Sequence, residues 1–192
     1  MKTLLISGKS GSGKDALAKL IQEELVAAGK RTIITHYGDP VKYFAKEYFN
    51  WDGIKDENGR HLLQYLGTDL VRSVLPNYWT GVIIGFLDAM EPHNQFDVAI
   101  VADVRFPNEA EIPFEQLEDV TTIRIERTNE DGTPWVNPAL TEEQRNHPSE
   151  TSLDHYGFDY IVHNDADLEL LKESAHTLLV DIKLIEGEIK YE

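Results

Sequence analysis

Residues 8–16, GKSGSGKDA, contain the glycines and the lysine of a phosphate-binding loop. Gly8, four intervening residues and the pair Gly13 and Lys14 match the P-loop pattern except at its final Ser/Thr position, where Asp15 stands. Glycines permit positive φ and close approach of the backbone to phosphate, successive N–H groups face the anion, and the lysine adds a positive charge. The pattern predicts a phosphate site built from Gly8, Ser10, Gly11, Ser12, Gly13, Lys14 and Asp15.

Asp15 occupies the position at which a standard P-loop has a hydroxyl that coordinates magnesium. A carboxylate beside phosphates is tolerable if a cation lies between them, or if it caps the helix and points away. Both interpretations stay open at this point. The next residue, Ala16, supplies no hydroxyl in the first helical turn.

The same letters also fit the dinucleotide fingerprint GxGxxG/A through Gly11, Gly13 and Ala16. That fingerprint requires an acidic residue about 20 residues later, at the end of the second strand. His36 and Tyr37 stand there instead. Because the dinucleotide loop also has no use for a lysine, the P-loop interpretation is favoured.

Alternating apolar strands and amphipathic helices must position this loop. Strands are predicted at residues 3–7, 31–37, 96–101, 120–125 and 159–164. Helices are predicted after the loop, through a mostly helical insertion at 38–95, at 107–117 and at 168–182. This alternation, without hairpin signals, indicates an α/β fold of the P-loop NTPase type with a parallel five-stranded sheet flanked by helices.

Ligands of such sheets bind at the carboxyl ends of the strands. Residues 8–15, 36–42, 103–109 and those from 126 onward all follow strands, so we expect them to converge on one crevice. Residues 127–150 are polar, lack periodicity and are predicted to form a mobile, lid-like loop. A closing loop can bring arginine to transferring phosphates and expel water. Arg127 is the first choice for a donor-phosphate contact, ahead of Arg124 and Arg145.

The composition narrows the class of protein. The 192-residue chain is 41% hydrophobic and 27% charged, as is typical of one folded domain. Its formal net charge of −16 opposes binding to a nucleic acid polymer. It has no cysteine, and no apolar stretch reaches the roughly 18 residues of a membrane span. We therefore expect a cytoplasmic protein, in the host cytoplasm if viral, with no polymer or membrane partner.

Five segments in order resemble the phage-type deoxynucleoside monophosphate kinases: GKD, GRHLLQYLGTDLVR, PNYW, VADVRFPNEAE and HPSE. The resemblance runs from residue 5 to about 175, and its most specific parts are LGTD and DVRFPNE. It implies ATP- and Mg2+-dependent phosphorylation of a deoxynucleoside monophosphate, with these nucleotides as small-molecule partners and a homodimer as a candidate assembly. A departure is Ala16, where related sequences often carry threonine. Ala16 has no hydroxyl that could bind magnesium.

The acceptor site is predicted in the helical insertion. Polar residues at i+4 steps form a stripe (Arg60, Gln64, Thr68, Arg72) opposite an apolar one (Leu62, Leu66, Leu70, Val74). Two arginines could grip a monophosphate, although such a stripe can also be a solvated face. With the resemblance, the acceptor contacts expected are Asp39, Lys42, Arg60, Gly67, Thr68, Arg72, Trp79, Asp103, Arg105 and Glu109. For Trp79 the alternative is core packing.

The candidate catalytic residues are Lys14, Asp15, Asp103 and Arg127, of which Asp15 and Asp103 are the candidate metal ligands. Asp103 follows a buried run, where P-loop proteins place a second acidic group. An internal salt bridge that caps helix 107–117 is the alternative role for Arg105 and Glu109. From the HPSE segment, His147, Ser149 and Glu150 are weaker candidates.

We expect one kinase domain over residues 1–192, with its acceptor-binding region at 38–95. Two other functions stay open. One is a kinase for another small acceptor, such as dephospho-coenzyme A or a mevalonate derivative. The other is a regulatory module that binds a nucleotide without catalysis.

Overall fold

A parallel five-stranded sheet forms the centre of the molecule. The computed structural model describes residues 1–129, 131–165 and 167–187, so position 130 of the predicted lid-like loop and positions 188–192 lie outside it. The strands are β1 (Lys2–Ser7), β2 (Thr32–Thr35), β3 (Val98–Val104), β4 (Asp119–Arg127) and β5 (Tyr160–Asn164). Their order is β2-β3-β1-β4-β5, and every neighbouring pair is parallel. The predicted fold class is confirmed.

The helices flank and extend this sheet. The α-helices are α1 (Lys14–Ala27), α2 (Gly38–Phe49), α3 (Glu57–Gln64), α4 (Tyr78–Met90), α5 (Pro107–Gln116), α6 (Glu142–Asn146), α7 (Pro148–Thr151) and α8 (Leu168–Asp181). A π-helix spans Tyr65–Arg72, and a short 3-10 helix spans Glu91–His93. In the part of the chain that the structure describes, no helix is long and apolar enough to cross a membrane.

The central strand β1 is buried on both faces. Its Leu4 and Ile6 belong to an apolar cluster with residues of α1 and α8, whereas Leu5 belongs to a second cluster with Ile84 and Leu87 of α4. A strand covered on both sides is a continuous apolar run, which is why residues 3–7 were recognisable in the sequence. The loop that follows β1 therefore starts from a strand that is buried on both faces.

The helical insertion has its own small core, and its apolar side differs from the one predicted. Leu66 is buried and Val71 packs against the same cluster, but Leu70 is 43% and Val74 is 75% exposed. The prediction of a regular i+4 apolar stripe is wrong beyond Gln64, because the chain there is a π-helix. In a π-helix the hydrogen bonds join residues five apart, so residues five apart lie on the same side of the helix. Leu66 and Val71 therefore both face the apolar cluster.

The predicted lid-like loop at 127–150 contains short ordered elements. An antiparallel bridge pairs Thr128 with Pro134, and α6 begins with a capping box in which Thr141 and Gln144 bond each other's backbone N–H. Helices of five and four residues are too short to give a detectable 3.6-residue periodicity. Closure of this segment as a lid stays a prediction.

Candidate active site

The loop between β1 and α1 adopts backbone angles that only glycine accepts easily. Gly11 has φ of +80° and Gly13 has φ of +106°. A Cβ at Gly11 would lie 2.7 Å from the Trp135 ring, and one at Gly13 would lie 2.6 Å from Asn164 Nδ2. Both glycines are therefore required by conformation and by space.

Lys14 is folded back along this loop. Its Nζ donates hydrogen bonds to the carbonyl oxygens of Gly8 at 2.6 Å and Lys9 at 2.9 Å, and its side chain is buried. Burial, followed by the positive charge of Arg105, lowers the pKa of Lys14 to about 7. A phosphate in the loop would favour the protonated form and raise that pKa.

Asp15 lies at the start of α1 and contacts the end of β2. His36 Nε2 is 3.1 Å from Asp15 Oδ1, and His36 Nδ1 is 3.1 Å from Asp39 Oδ2. Hydrogen bonds to Asp15 and then to Asp39 raise the pKa of His36 to about 9. A protonated His36 therefore links the donor loop to the start of α2, where Asp39 also accepts a hydrogen bond from Lys42 Nζ at 2.8 Å.

Asp103 lies within β3, where its carboxylate binds backbone. Oδ1 accepts from Tyr37 N–H at 2.6 Å and Oδ2 accepts from Gly38 N–H at 2.9 Å. A Cβ at position 38 would lie 2.9 Å from Oδ2, so the glycine lets the two segments approach. Asp103 thus fixes the start of α2 beside the crevice, and its predicted contact with metal or acceptor stays a prediction.

Arg72 and Glu109 form a buried ion pair. Arg72 Nη2 donates to Glu109 Oε1, and its guanidinium stacks 4.1 Å from the centre of the Phe106 ring. Glu109 Oε2 also accepts from the backbone N–H groups of Arg105 and Phe106 and so caps α5. Burial raises the pKa of Glu109 to about 7, against the lowering effect of Arg72. The internal salt bridge considered for Glu109 exists, but with Arg72 rather than Arg105.

Arg105 instead pairs with the HPSE segment. Its Nη1 donates to Glu150 Oε1 and to the carbonyl oxygen of Ser149 at 3.0 Å. About a quarter of the Arg105 side chain is exposed. The guanidinium is thus anchored by the HPSE segment.

Arg127 and Trp135 cover the outer side of the P-loop. The Arg127 guanidinium lies 4.3 Å from the centre of the Trp135 ring, and Arg127 Nη1 donates to the Gly11 carbonyl oxygen at 3.2 Å. Asn137 Nδ2 donates to Ser10 Oγ at 3.2 Å. The structure therefore places Arg127 beside the P-loop with Trp135 as a neighbour, and its contact with a donor phosphate stays a prediction.

The other predicted residues differ in their burial and in their contacts. Trp79 is 3% exposed and its Nε1–H donates to the Gly67 carbonyl oxygen at 2.9 Å, so core packing is its observed role. Arg124 is buried and donates to Ser7 Oγ at 3.1 Å, as a neighbour in the sheet would. Arg60 and Thr68 are partly exposed on the helical insertion. Contacts of these residues with an acceptor stay predictions.

Sequence reasoning missed two residues of this site. His36 was noted only as the wrong residue for a dinucleotide fold, although it lies in the 36–42 segment expected at the crevice. Trp135 lies in a segment without periodicity, and nothing local pairs it with Gly11, which is more than a hundred residues away. A tryptophan in an otherwise polar loop was the available signal for the second residue.

The residues at the crevice fit a magnesium ion that arrives with phosphates. Among residues 1–129, 131–165 and 167–187, no three acidic or histidine side chains form a ready-made metal site. Mg2+ in phosphotransfer sites usually needs only one or two carboxylates beside phosphates and waters. The Asp15 carboxylate is 76% exposed next to Lys14, and Asp103 retains acceptor capacity beyond its two backbone bonds.

Comparison with solved structures finds proteins with a similar fold. An unliganded sugar kinase from Janibacter sp. HTCC2649 is 14% identical, with a TM-score of 0.55 over 97% of this chain and 99% of that one. The structure of APE1195 is 13% identical, with a TM-score of 0.54 over 96% of each chain. At these identities the likeness concerns the fold alone.

A family comparison is more specific. The model of the deoxynucleotide monophosphate kinase family matches residues 45–175, and the chain belongs to this family. The matched range includes the LGTD, DVRFPNE and HPSE segments, whereas the P-loop, His36 and Asp39 precede it. None of the curated proteins matches the chain.

Proposed function

We propose that this kinase transfers the terminal phosphoryl group of ATP, with Mg2+, to a deoxynucleoside monophosphate. The observation that carries the proposal is the meeting of two motifs at one edge of the sheet. Ser7 pairs with Val104 across β1 and β3, so the P-loop and the DVRFPNE segment leave neighbouring strands side by side. Arg105 lies close enough to Lys14 for its positive charge to lower the pKa of Lys14.

In this proposal the donor phosphates lie on the P-loop backbone and Lys14. Phosphoryl transfer is catalysed mainly by positioning and by charge stabilisation, so a lysine and arginines around the transferred group suffice for much of the effect. Arg127 covers the donor side, and Arg60 and Arg105 are the cations offered to the acceptor phosphate. Arg72 orients Glu109 and α5 from behind.

Magnesium would be held by Asp15, with Asp103 as the second candidate, and would neutralise charge on the donor phosphates when bound. The chain's own residues prepare this position. His36 keeps the Asp15 carboxylate at the crevice, and the backbone N–H groups of Tyr37 and Gly38 orient Asp103.

The test is formation of ADP from Mg-ATP with each of the four deoxynucleoside monophosphates, with dephospho-coenzyme A and phosphomevalonate as competing acceptors. Turnover with at least one deoxynucleotide, and at most background rates with the other two compounds, is the expected result. Turnover only with one of those compounds would assign a different acceptor. ATP binding without turnover of any acceptor would indicate a regulatory module.

A further inference from the structure

The HPSE segment, residues 147–150, touches the P-loop, the DVRFPNE segment and the LGTD segment. Glu150 contacts Ser10 and Arg105, and His147 Nε2 lies 3.6 Å from Asp69 Oδ1. A turn later, Asp154 Oδ2 accepts a hydrogen bond from Lys9 Nζ at 2.7 Å. A short helix, α7, therefore lies where the donor and acceptor motifs come together.

Glu150 uses its two carboxylate oxygens for two different motifs. Oε2 accepts from the Ser10 backbone N–H at 2.8 Å, and Oε1 accepts from Arg105 Nη1. The Glu150 side chain is only 7% exposed. A carboxylate buried to this degree is costly unless both oxygens are satisfied, so its two partners are held firmly in place.

The two partners are groups whose positions matter for phosphoryl transfer. Ser10 N–H belongs to the loop that would hold the donor phosphates, and Arg105 belongs to the acceptor side. Glu150 also lies close enough to Lys14 to favour its charged form, whereas Arg105 disfavours it. The negative charge of Glu150 reduces the repulsion between the two cations at the crevice.

We propose that Glu150 is a positioning residue that fixes the P-loop relative to Arg105 and thereby aligns the donor and acceptor phosphates. This inference rests on the proposed function for its acceptor half. Glu150 touches neither reacting group in this assignment; it acts through Ser10 and Arg105. Misalignment of about 1 Å in such a site can cost roughly a hundredfold in rate.

Glu150→Gln tests the proposal because Ser10 and Arg105 donate to different carboxylate oxygens, and the amide replaces one of those oxygens with an NH2 group that cannot accept a hydrogen bond. We expect kcat to fall at least tenfold, while the KM values for ATP and for the deoxynucleotide each change less than threefold. Glu150→Asp keeps two acceptor oxygens on a shorter stem, so it should recover part of the loss. Glu143→Gln, which removes the same charge from an exposed position of α6, is the matched control and should keep the parent kcat.

A parent-like kcat in Glu150→Gln would overturn the proposal. If Glu150→Gln fails to fold, Glu150→Asp decides: a kcat reduced at parental KM values supports positioning, and a parental kcat shows that Glu150 serves stability alone.

The Ser10 amide resonance, measured by 15N–1H NMR on the whole chain without substrates, gives a readout that needs no acceptor. If the parent phosphorylates no deoxynucleotide, the proposed function fails, and a Ser10 resonance unmoved by Glu150→Gln is then the result that refutes the Glu150 assignment.

Discussion

Residues 8–14 and residues 57–72 are both proposed to bind phosphate, yet different forces hold them in place. The donor loop is fixed by glycine conformations and by its attachment to β1, which is buried on both faces. The acceptor region lies outside the sheet, carries a π-helix and is tied to the rest by the Arg72–Glu109 pair. Backbone geometry and the buried strand β1 hold the first region, whereas a small apolar cluster of its own and the Arg72–Glu109 ion pair hold the second.

This difference has a consequence for function. A loop anchored by the core can offer its N–H groups to phosphate with little reorganisation. A region held by ion pairs can shift when a charged ligand competes for the same groups. We therefore expect substitutions on the acceptor side to disturb stability and binding together, and truncation of the Lys14 side chain in the donor loop to affect catalysis while the fold is preserved.

The largest effect is expected from Arg72→Ala. Removing one partner of a buried pair leaves Glu109, 3% exposed, without its cation, and such losses cost about 3–5 kcal/mol of stability. Urea unfolding monitored by circular dichroism measures this cost. Arg60→Ala, on the preceding helix and partly exposed, is the control and should change stability by less than about 0.5 kcal/mol. Both variants should weaken use of the deoxynucleotide more than ATP binding. Equal stability of the two would show that the acceptor side does not depend on its ion pair.

Lys14→Ala tests the opposite expectation for the donor loop. The loss of its charge from the transferring phosphates should lower phosphotransfer at least a hundredfold, or about 3 kcal/mol of transition-state stabilisation. Because a buried cation is removed, the unfolding midpoint should not fall. Lys19→Ala, an exposed lysine on the same helix, should keep parental kinetics. Near-normal turnover of Lys14→Ala would refute the P-loop assignment.

The sequence could predict features that are encoded by consecutive residues, but not those that depend on contacts between distant side chains. The five strands and the P-loop are local patterns, since each is encoded within fewer than ten consecutive residues. The letters of residues 65–72 fit an α-helix as well as a π-helix, so the shift of the apolar side from Leu70 to Val71 was not visible. The partners in Arg105–Glu150 lie 45 residues apart, and no local rule selects one carboxylate among 34 acidic residues.

His36 joins the start of α1 to the start of α2 through Asp15 and Asp39, and its charge should appear in the pH dependence of stability. Its folded pKa of about 9 exceeds its unfolded value of 6.5, so its contribution is complete below pH 6.5 and is lost as pH rises through 9. Solvent around Asp15 and Asp39 reduces the contribution to about 1–2 kcal/mol. Unfolding free energies of the parent and of His36→Gln, measured in EDTA, should therefore converge between pH 6.5 and 9.5. Parallel curves would show that His36 is not charged between the two carboxylates.

Asp15→Asn tests whether the donor loop also supplies a metal ligand. Asparagine keeps the size and an oxygen that can accept a hydrogen bond from His36, but it removes one negative charge. If Asp15 faces magnesium, the variant should need several-fold more Mg2+ for half-maximal rate and should recover partly when it is supplied. Asp52→Asn, an exposed acidic residue outside the crevice, controls for net charge. The N-cap residue of α1 is Gly13, which has no side chain that could cap this helix. A magnesium titration of Asp15→Asn that superimposes on the parental one would therefore limit Asp15 to its contact with His36 and move the metal role towards Asp103.

The smallest effect is expected at Trp135, where the donor loop does depend on side chains. The ring covers Gly11 and stacks against Arg127, an arrangement worth about 1 kcal/mol at a partly exposed site. Trp135→Ala should therefore raise the KM for ATP about three- to tenfold, and Trp135→Phe, which keeps a flat ring, should raise it less. Val136→Ala, at the neighbouring exposed residue, should have no effect. Because Trp135 contacts the donor loop, the KM for the deoxynucleotide should stay within twofold of the parental value. A change in the deoxynucleotide KM with an unchanged KM for ATP would place Trp135 at the acceptor site. The donor and acceptor sides of the crevice would then be assigned the wrong way round.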